Sequence, residues 1–294
     1  MNLATGRLGL VGYGEVGRIF SAGLLPHVHS VSAWDIKFHD AAGAATTGGV
    51  LQATSVQALC DASDWVISAV TASNTLTVAQ AAAPHLRAGM VFLDLNSASP
   101  GTKQQAAALV QATGAHYVEA GVMTSVPPYG IRVPMLLGGS QAAILAAALQ
   151  ALGMDAKAVS ADIGVASAIK MCRSVMIKGL EALVIESYTT ARAYGVEAHV
   201  LPTLAETFPS IDWEKQGAYF FSRVAQHGQR RAEEMRESAR TVAEVGFAPT
   251  MASAIADKQQ WVADQARAGT FADIAPNAIW QDYADALLAR RSTL

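Results

Sequence analysis

The sequence predicts a parallel-sheet α/β half followed by an all-α half, the two joined by one long helix. Three observations carry this. Up to about residue 160, short β-branched runs alternate with helical stretches; beyond about 162 the strand pattern stops; and between Gly164 and Gly195 only Gly179 interrupts a helical run. Strand–helix alternation means a mostly parallel sheet covered by helices. The expected division is residues 1–162 and 163–294. With 51% hydrophobic and only 15% charged residues, the chain must bury much surface, and a subunit contact is expected to take some of it.

The strands are expected at "RLGLVG" (7–12), "SVSAWD" (30–35), "DWVISAV" (64–70), "MVFLDLN" (90–96), "HYVEAGV" (116–122) and "VPMLLGG" (133–139). Helical segments lie between most of them, such as 73–86 and 99–114. The latter opens with Ser99 as N-cap and Pro100 as first helical residue. The long helix, roughly 45 Å at about 1.5 Å per residue, is capped by Gly195. Being apolar around most of its girth, it should lie buried between domains or subunits. Further helices are expected over 212–227, 229–245 and 250–268, with a last one ending near Arg291.

The bulk numbers exclude several classes. A net charge of −3 leaves no basic footprint for nucleic acid or anionic membrane. No apolar run is long enough to span a bilayer. Cys60 and Cys172 lie far apart without paired spacing, so no disulfide framework is expected, and Cys172 is expected in the core. With no signal-peptide pattern at the start, a cytoplasmic globule is expected. The seven histidines lack metal-ligand spacing and there is no G-x-S-x-G elbow, so neither a metal nor a serine-nucleophile mechanism is supported.

"GLVGYGEVG" places Gly12, Gly14 and Gly17 directly after a strand and at the start of a helix. Gly12 suits the tight turn, Gly14 the approach of a pyrophosphate, and Gly17 close helix–strand packing. The helix N-terminus adds unpaired N–H groups and partial positive charge. The second strand ends in Asp35, whose carboxylate can accept from the adenine ribose hydroxyls. Together these predict a Rossmann-type dinucleotide-binding domain, with Gly12, Tyr13, Gly14, Glu15, Val16, Gly17 and Asp35 around the cofactor. Asp35 would repel a 2′-phosphate and favours NAD; nearby Lys37 softens that repulsion, so NADP stays possible. Val70 and Thr71, at the end of "DWVISAV", should line the nicotinamide side.

With these elements laid out, the chain resembles the β-hydroxyacid dehydrogenase superfamily of 3-hydroxyisobutyrate and 6-phosphogluconate dehydrogenases. "GLVGYGEVG" resembles its cofactor fingerprint, "DLNSASP" (94–100) and "EAGVMTSVPPYG" (119–130) its substrate loops, and "GVASAIKMCRS" (164–174) its catalytic helix. The helical half, with "HGQRRAEEMRE" (227–237), is similar to a divergent branch of that superfamily. The resemblance implies Lys170 as the catalytic residue, and Asn96, Met123, Thr124, Ser125 and Ser174 at substrate-binding positions. The departures are Asn96 for the usual Ser, Met123-Thr124-Ser125 for Ser-Gly-Gly, and Ser174 for Asn. Ile177 stands where 6-phosphogluconate dehydrogenase carries its acidic Glu, which argues against decarboxylation of that substrate.

Lys170, Ser174, Lys178 and Glu181 share one helical stripe. Such a stripe is either a solvent face or the wall of a site. Lys170 can serve as base toward a substrate hydroxyl if its pKa is lowered, which burial favours; in reverse its ammonium polarises a carbonyl. The plainer alternative is a surface lysine whose stem covers apolar neighbours. Lys178 has two open roles, binding a distal acidic group or reaching water. Arg230 and Glu234 suit a solvated ion-pair face, unless His227 or Arg231 reaches the substrate. Tyr129 and Arg132 either gate the site or belong to an ordinary turn. The function expected is NAD(P)-dependent hydride transfer between nicotinamide and a hydroxy acid, a 3-hydroxy acid or sugar acid, by a homodimer. The alternatives are an imine reductase, a class that usually carries Asp or Tyr in place of this Lys, and a non-catalytic NAD-binding sensor.

Overall fold

A computed structural model describes residues 3–38 and 46–290. The chain divides into two compact units, Met1–Met171 and Cys172–Leu294.

The first unit contains β1 (Arg7–Val11), α1 (Glu15–Leu24), β2 (Ser30–Trp34), β3 (Thr46–Thr47), β4 (Val50–Gln52), α2 (Val56–Asp61) and β5 (Trp65–Ser68). It continues with α3 (Thr75–Ala82), β6 (Val91–Asp94), α4 (Pro100–Gln111), β7 (His116–Val122), β8 (Met135–Gly138), α5 (Ala142–Ala151) and β9 (Ala156–Ser160). One sheet takes all the strands in the order β3-β4-β2-β1-β5-β6-β7-β8-β9. From β4 to β7 every neighbour is parallel, and β8 turns antiparallel to β7. The chain steps from β1 to β2 on one side and later returns to place β5 on the other. That reversal opens a crevice at the carboxyl ends of the strands, the usual ligand position in such sheets.

Side-chain alternation along each strand explains why both faces are covered. Leu8, Leu10, Trp65, Ile67, Val91, Leu93 and Val118 face one core, packed with Phe20 and Leu24 of α1 and Leu145 and Leu149 of α5. Val11, Val66, Phe92 and Tyr117 face a second core with Leu59, Val78, Ala106 and Val110. Ser99 caps α4, its hydroxyl accepting from Thr102 N–H at 3.3 Å, with Pro100 in the first turn, as the sequence predicts.

Helix α6 (Val165–Tyr194) begins in the first unit and ends in the second. The second unit then holds α7 (Glu197–Thr207), α8 (Trp213–Glu244), α9 (Thr250–Arg267) and α10 (Trp280–Ala289). The expected break at Gly228 does not occur: α8 runs unbroken for 32 residues. Gly228 is there for packing, since a Cβ would come within 2.8 Å of the Gln259 carbonyl oxygen on α9. Val184, Tyr188, Phe221, Val224, Trp280 and Tyr283 form the main core of this unit. Cys172, expected in the core, is exposed, and Cys60 is buried; both are free thiols. Among the described residues no helix is long and apolar enough to cross a membrane.

Candidate active site at the ends of the parallel strands

At the end of β1 the chain turns through Gly12 with φ +94°, its N–H bonded to the Trp34 carbonyl at 2.8 Å. A Cβ on Gly12 would stand 2.5 Å from the Ala69 oxygen, and one on Gly17 only 2.0 Å from the Gly12 oxygen. Both positions therefore need glycine, which lets α1 start hard against the strand. Gly14, the N-cap of α1, has no side-chain cap, and a Cβ there would meet nothing within 4 Å. The helix start thus opens onto free space, a fit for a pyrophosphate held by first-turn N–H groups. Glu15 and Val16 form that first turn, with Glu15 exposed and Val16 half-buried.

Asp35 lies beside this turn. Its Oδ2 accepts the Tyr13 N–H at 2.7 Å and its Oδ1 the Lys37 N–H at 3.0 Å. A carboxylate offers about four lone-pair positions, so acceptors remain for ribose hydroxyls. The Tyr13 ring packs edge-on against Phe38, centroids 5.6 Å apart.

The carboxyl ends of β5 and β6 are tied together by Asn96. Its Oδ1 accepts the Val70 N–H at 2.7 Å and its Nδ2 donates to Ser68 Oγ at 2.9 Å. With only 3% of its surface exposed, this amide holds the loop and is engaged by protein atoms on both its oxygen and its nitrogen. Thr71, just beyond Val70, is exposed and its hydroxyl accepts from Asn74 Nδ2 at 2.7 Å.

Next to Asn96, Ser97 presents its hydroxyl to Lys170, whose Nζ donates to Ser97 Oγ. Three features set this contact. Glu119 on β7 accepts the N–H groups of Gly164 and Ala166 at 2.7 and 3.0 Å, fixing the start of α6. Gly121, also on β7, lets α6 approach, because a Cβ there would sit 2.9 Å from the Ala166 oxygen. The helical rise from Ala166 then carries half-buried Lys170 to the loop after β6. Lys170 is thus not a surface lysine held only by its stem. Met123, Thr124 and Ser125 follow the end of β7; the Met123 N–H bonds to the Pro134 oxygen at 2.9 Å, Thr124 is exposed and Ser125 is half-buried. The sequence reading passed over Ser97, Glu119 and Gly121. The glycine inside a strand was the available signal for Gly121, as such residues often mark close backbone approach.

Beneath the loop lies a buried charged cluster. Asp94 Oδ1 accepts from Lys103 Nζ at 2.9 Å and from Asn96 N–H at 2.8 Å, and its Oδ2 from Tyr117 Oη at 2.5 Å. Burial, reinforced by Asp94, pushes the Tyr117 phenol well above its ordinary pKa, so it stays a donor.

Further along α6, within the second unit, the stripe is buried. Lys178 Nζ meets Glu234 Oε2 at 2.9 Å and donates to Ser174 Oγ at 3.2 Å. Lys178 is 6% exposed, so it does not reach bulk water. Glu181 receives Arg231 through two guanidinium nitrogens and Gln259 Nε2 at 3.2 Å. Glu234 is therefore turned toward Lys178 rather than lying on a purely solvated face with Arg230. Arg231 is committed to Glu181. Tyr129 and Arg132 are exposed in the turn before β8. Among the described residues no group of three or more His, Cys, Asp or Glu is placed to hold a metal ion.

A glycine turn, an open helix start and an acid at the end of the adjacent strand define a Rossmann-type nicotinamide-dinucleotide domain. The chain belongs to the family described as the NAD binding domain of 6-phosphogluconate dehydrogenase, matched over residues 7–161, and so to the β-hydroxyacid dehydrogenase superfamily. Residues 191–262 match a domain of unknown function, DUF1932. A conserved hypothetical protein from Sinorhizobium meliloti is 35% identical, with TM-score 0.77, covering 98% of this chain and 97% of its own. Two more distant structures share the fold. The 3-hydroxyisobutyrate dehydrogenase of Mycobacterium tuberculosis is 18% identical, with TM-score 0.69 and coverage of 96% and 99%. A reductive aminase from Aspergillus terreus, solved with NADPH4, cyclohexanone and allyl amine, is 19% identical, with TM-score 0.56 and coverage of 98% and 100%.

Proposed function

We propose that this protein is an NAD(P)-dependent dehydrogenase that moves hydride between nicotinamide and the CH–OH carbon of a small hydroxy acid. Residues 1–162 serve as the dinucleotide domain and 163–294 as the substrate and dimerisation domain. The observation that carries the reading is the Lys170–Ser97 contact at the loop whose other residue, Asn96, holds Val70 at the end of β5. It supports an amine held beside the strand ends where the nicotinamide of a bound dinucleotide is expected.

The bound nicotinamide supplies the hydride acceptor or donor. Everything else falls to the chain. Gly12, Gly14 and Gly17 admit the pyrophosphate, Asp35 takes the ribose, and Val70 and Thr71 line the nicotinamide side. Asp35 favours NAD over NADP. Lys170 takes the substrate hydroxyl proton during oxidation and returns it during reduction, with Ser97 fixing the amine's direction. Thr124 and Ser125 are uncharged donors suited to a substrate carboxylate, with Met123 beside them, and Ser174 supports the reacting oxygen. Lys178, already matched by Glu234, is a poor anchor for a second acidic group, which favours monocarboxylate substrates. Exposed apolar residues on α6, among them Met176 and Leu183, support a homodimer, and the two free thiols support a cytoplasmic setting.

The test is a panel of 2- and 3-hydroxy acids and sugar acids, followed by NADH or NADPH formation. Turnover of at least one 3-hydroxy or sugar acid, faster with NAD, is expected. Tight dinucleotide binding with no turnover across the panel would favour a sensor instead. The fold shared with the A. terreus reductive aminase favours a second reading, imine reduction. Cyclic-imine turnover that survives Lys170→Ala would establish that reading.

A further inference from the structure

The Asp94–Lys103–Tyr117 cluster is expensive to bury. Asp94 and Lys103 are each 1% exposed or less, and Tyr117 1%. Taking two opposite charges out of water costs more than a single contact returns, and apolar replacements of similar volume are often as stable. A buried pair therefore invites a reason other than stability. Its geometry supplies one. Lys103 Nζ bonds both to Asp94 Oδ1 at 2.9 Å and to the Asp94 carbonyl oxygen at 3.1 Å, so one ammonium clamps the last residue of β6 at side chain and backbone. Tyr117, on the neighbouring strand, holds the other carboxylate oxygen. The carboxylate so fixed accepts the Asn96 N–H at 2.8 Å, and the next residue is the one that meets Lys170.

We infer that Lys103, Asp94 and Tyr117 are positioning residues for the Asn96–Ser97 loop, and through Ser97 for the Lys170 amine. The inference rests on the proposed role of Lys170. None of the three touches substrate or cofactor. Their effect runs through one backbone N–H: with the carboxylate gone, the Asn96 peptide can rotate and Ser97 no longer points its hydroxyl at Nζ. The lysine of α4 and the tyrosine of β7 hold that carboxylate in the required orientation without exposing it.

The test replaces the charges together, so that no lone charge stays buried. Asp94→Leu/Lys103→Met removes the acceptor; Asp94→Asn/Lys103→Met removes the charges but keeps an oxygen for Asn96 N–H. Each is compared with wild type and with Ser97→Ala by the rate at which acetic anhydride labels the Lys170 amine across pH 6–10, read by peptide mass spectrometry. The labelling rate in the Leu/Met variant is expected to rise several-fold, matching Ser97→Ala. In the Asn/Met variant it should return to within about twofold of wild type. Turnover should fall about 10- to 100-fold in the Leu/Met variant, in kcat rather than in cofactor KM. A folded Leu/Met variant that labels and turns over as wild type overturns the inference. If that variant does not fold, Tyr117→Phe serves: unchanged labelling at Lys170 in the folded protein also overturns it. The labelling readout needs no substrate. The expected labelling pattern in a protein that oxidises no hydroxy acid would sink the proposed function and leave the positioning role intact.

Discussion

The two units bury charge in different ways. In the α/β unit, buried side chains that also pair with one another, as Asp94 does with Lys103 and Tyr117, reach backbone N–H groups at strand and helix ends: Glu119 to Gly164 and Ala166, Asp94 to Asn96, Asn96 to Val70. In the helical unit the buried charges named above meet other side chains, mostly on neighbouring helices, as in Glu181 with Arg231 and Gln259, or Lys178 with Glu234. A side chain bonded to a loop's backbone fixes where that loop lies. A side chain bonded to another side chain fixes which helix faces pair. The first pattern builds a site; the second specifies a packing arrangement.

Substitutions can break or sharpen that contrast. Arg231→Met leaves the Glu181 carboxylate buried against Gln259 without its guanidinium, and should cost about 3–5 kcal/mol in urea-unfolding stability. Dinucleotide affinity, measured by calorimetry, should not change. Asn96→Ala orphans the Val70 N–H and should cost about 1–3 kcal/mol, but here kcat must fall as well, because the loop loses its anchor. Gly14→Ala adds a Cβ to open space at φ −73°, so the melting temperature should hold. The methyl would stand in the path of the pyrophosphate, and a tenfold weaker dinucleotide, about 1.4 kcal/mol, is expected by titration.

The smallest effect belongs to a surface pair. Arg7 donates to both Asp64 oxygens at 2.7 and 3.1 Å and holds this carboxyl down at about 2, chiefly through its side-chain hydrogen bonds. A depressed folded pKa stabilises above the unfolded value and is lost on acidification. Asp64→Asn should therefore cost under about 1 kcal/mol at pH 7, since the pair is exposed. The difference from wild type should vanish as pH falls from about 4 to about 2, which denaturant curves at several pH values would follow.

Much of the fold was legible in the sequence because its signals are local. Alternation, the glycine pattern and the Ser99-Pro100 cap placed six of the strands, the start of α1, and α4 within a few residues. What escaped depended on distant neighbours. The short strand β4 and the half-exposed β9 have little hydrophobic patterning of their own, and Pro202 inside α7 disguised that helix. Gly228 looked like a break because the helix it packs against is some thirty residues on in the chain. The same limit applies to the site. Lys170 and the glycine turn stand out by type and spacing. Ser97 does not: its role depends on Glu119 and Gly121 bringing the start of α6 to the sheet. Nor does spacing reveal that Asn96 is engaged by Ser68 and Val70.

The central claim is that the amine on α6, steered by Ser97, carries the proton that accompanies hydride transfer. Single-turnover kinetics of Lys170→Ala, with dinucleotide affinity measured on the same sample, tests it most directly. The account predicts unchanged affinity and a hydride-transfer rate lower by about 10²–10⁴, the usual contribution of a general acid–base group. A rate within a few-fold of wild type would contradict it.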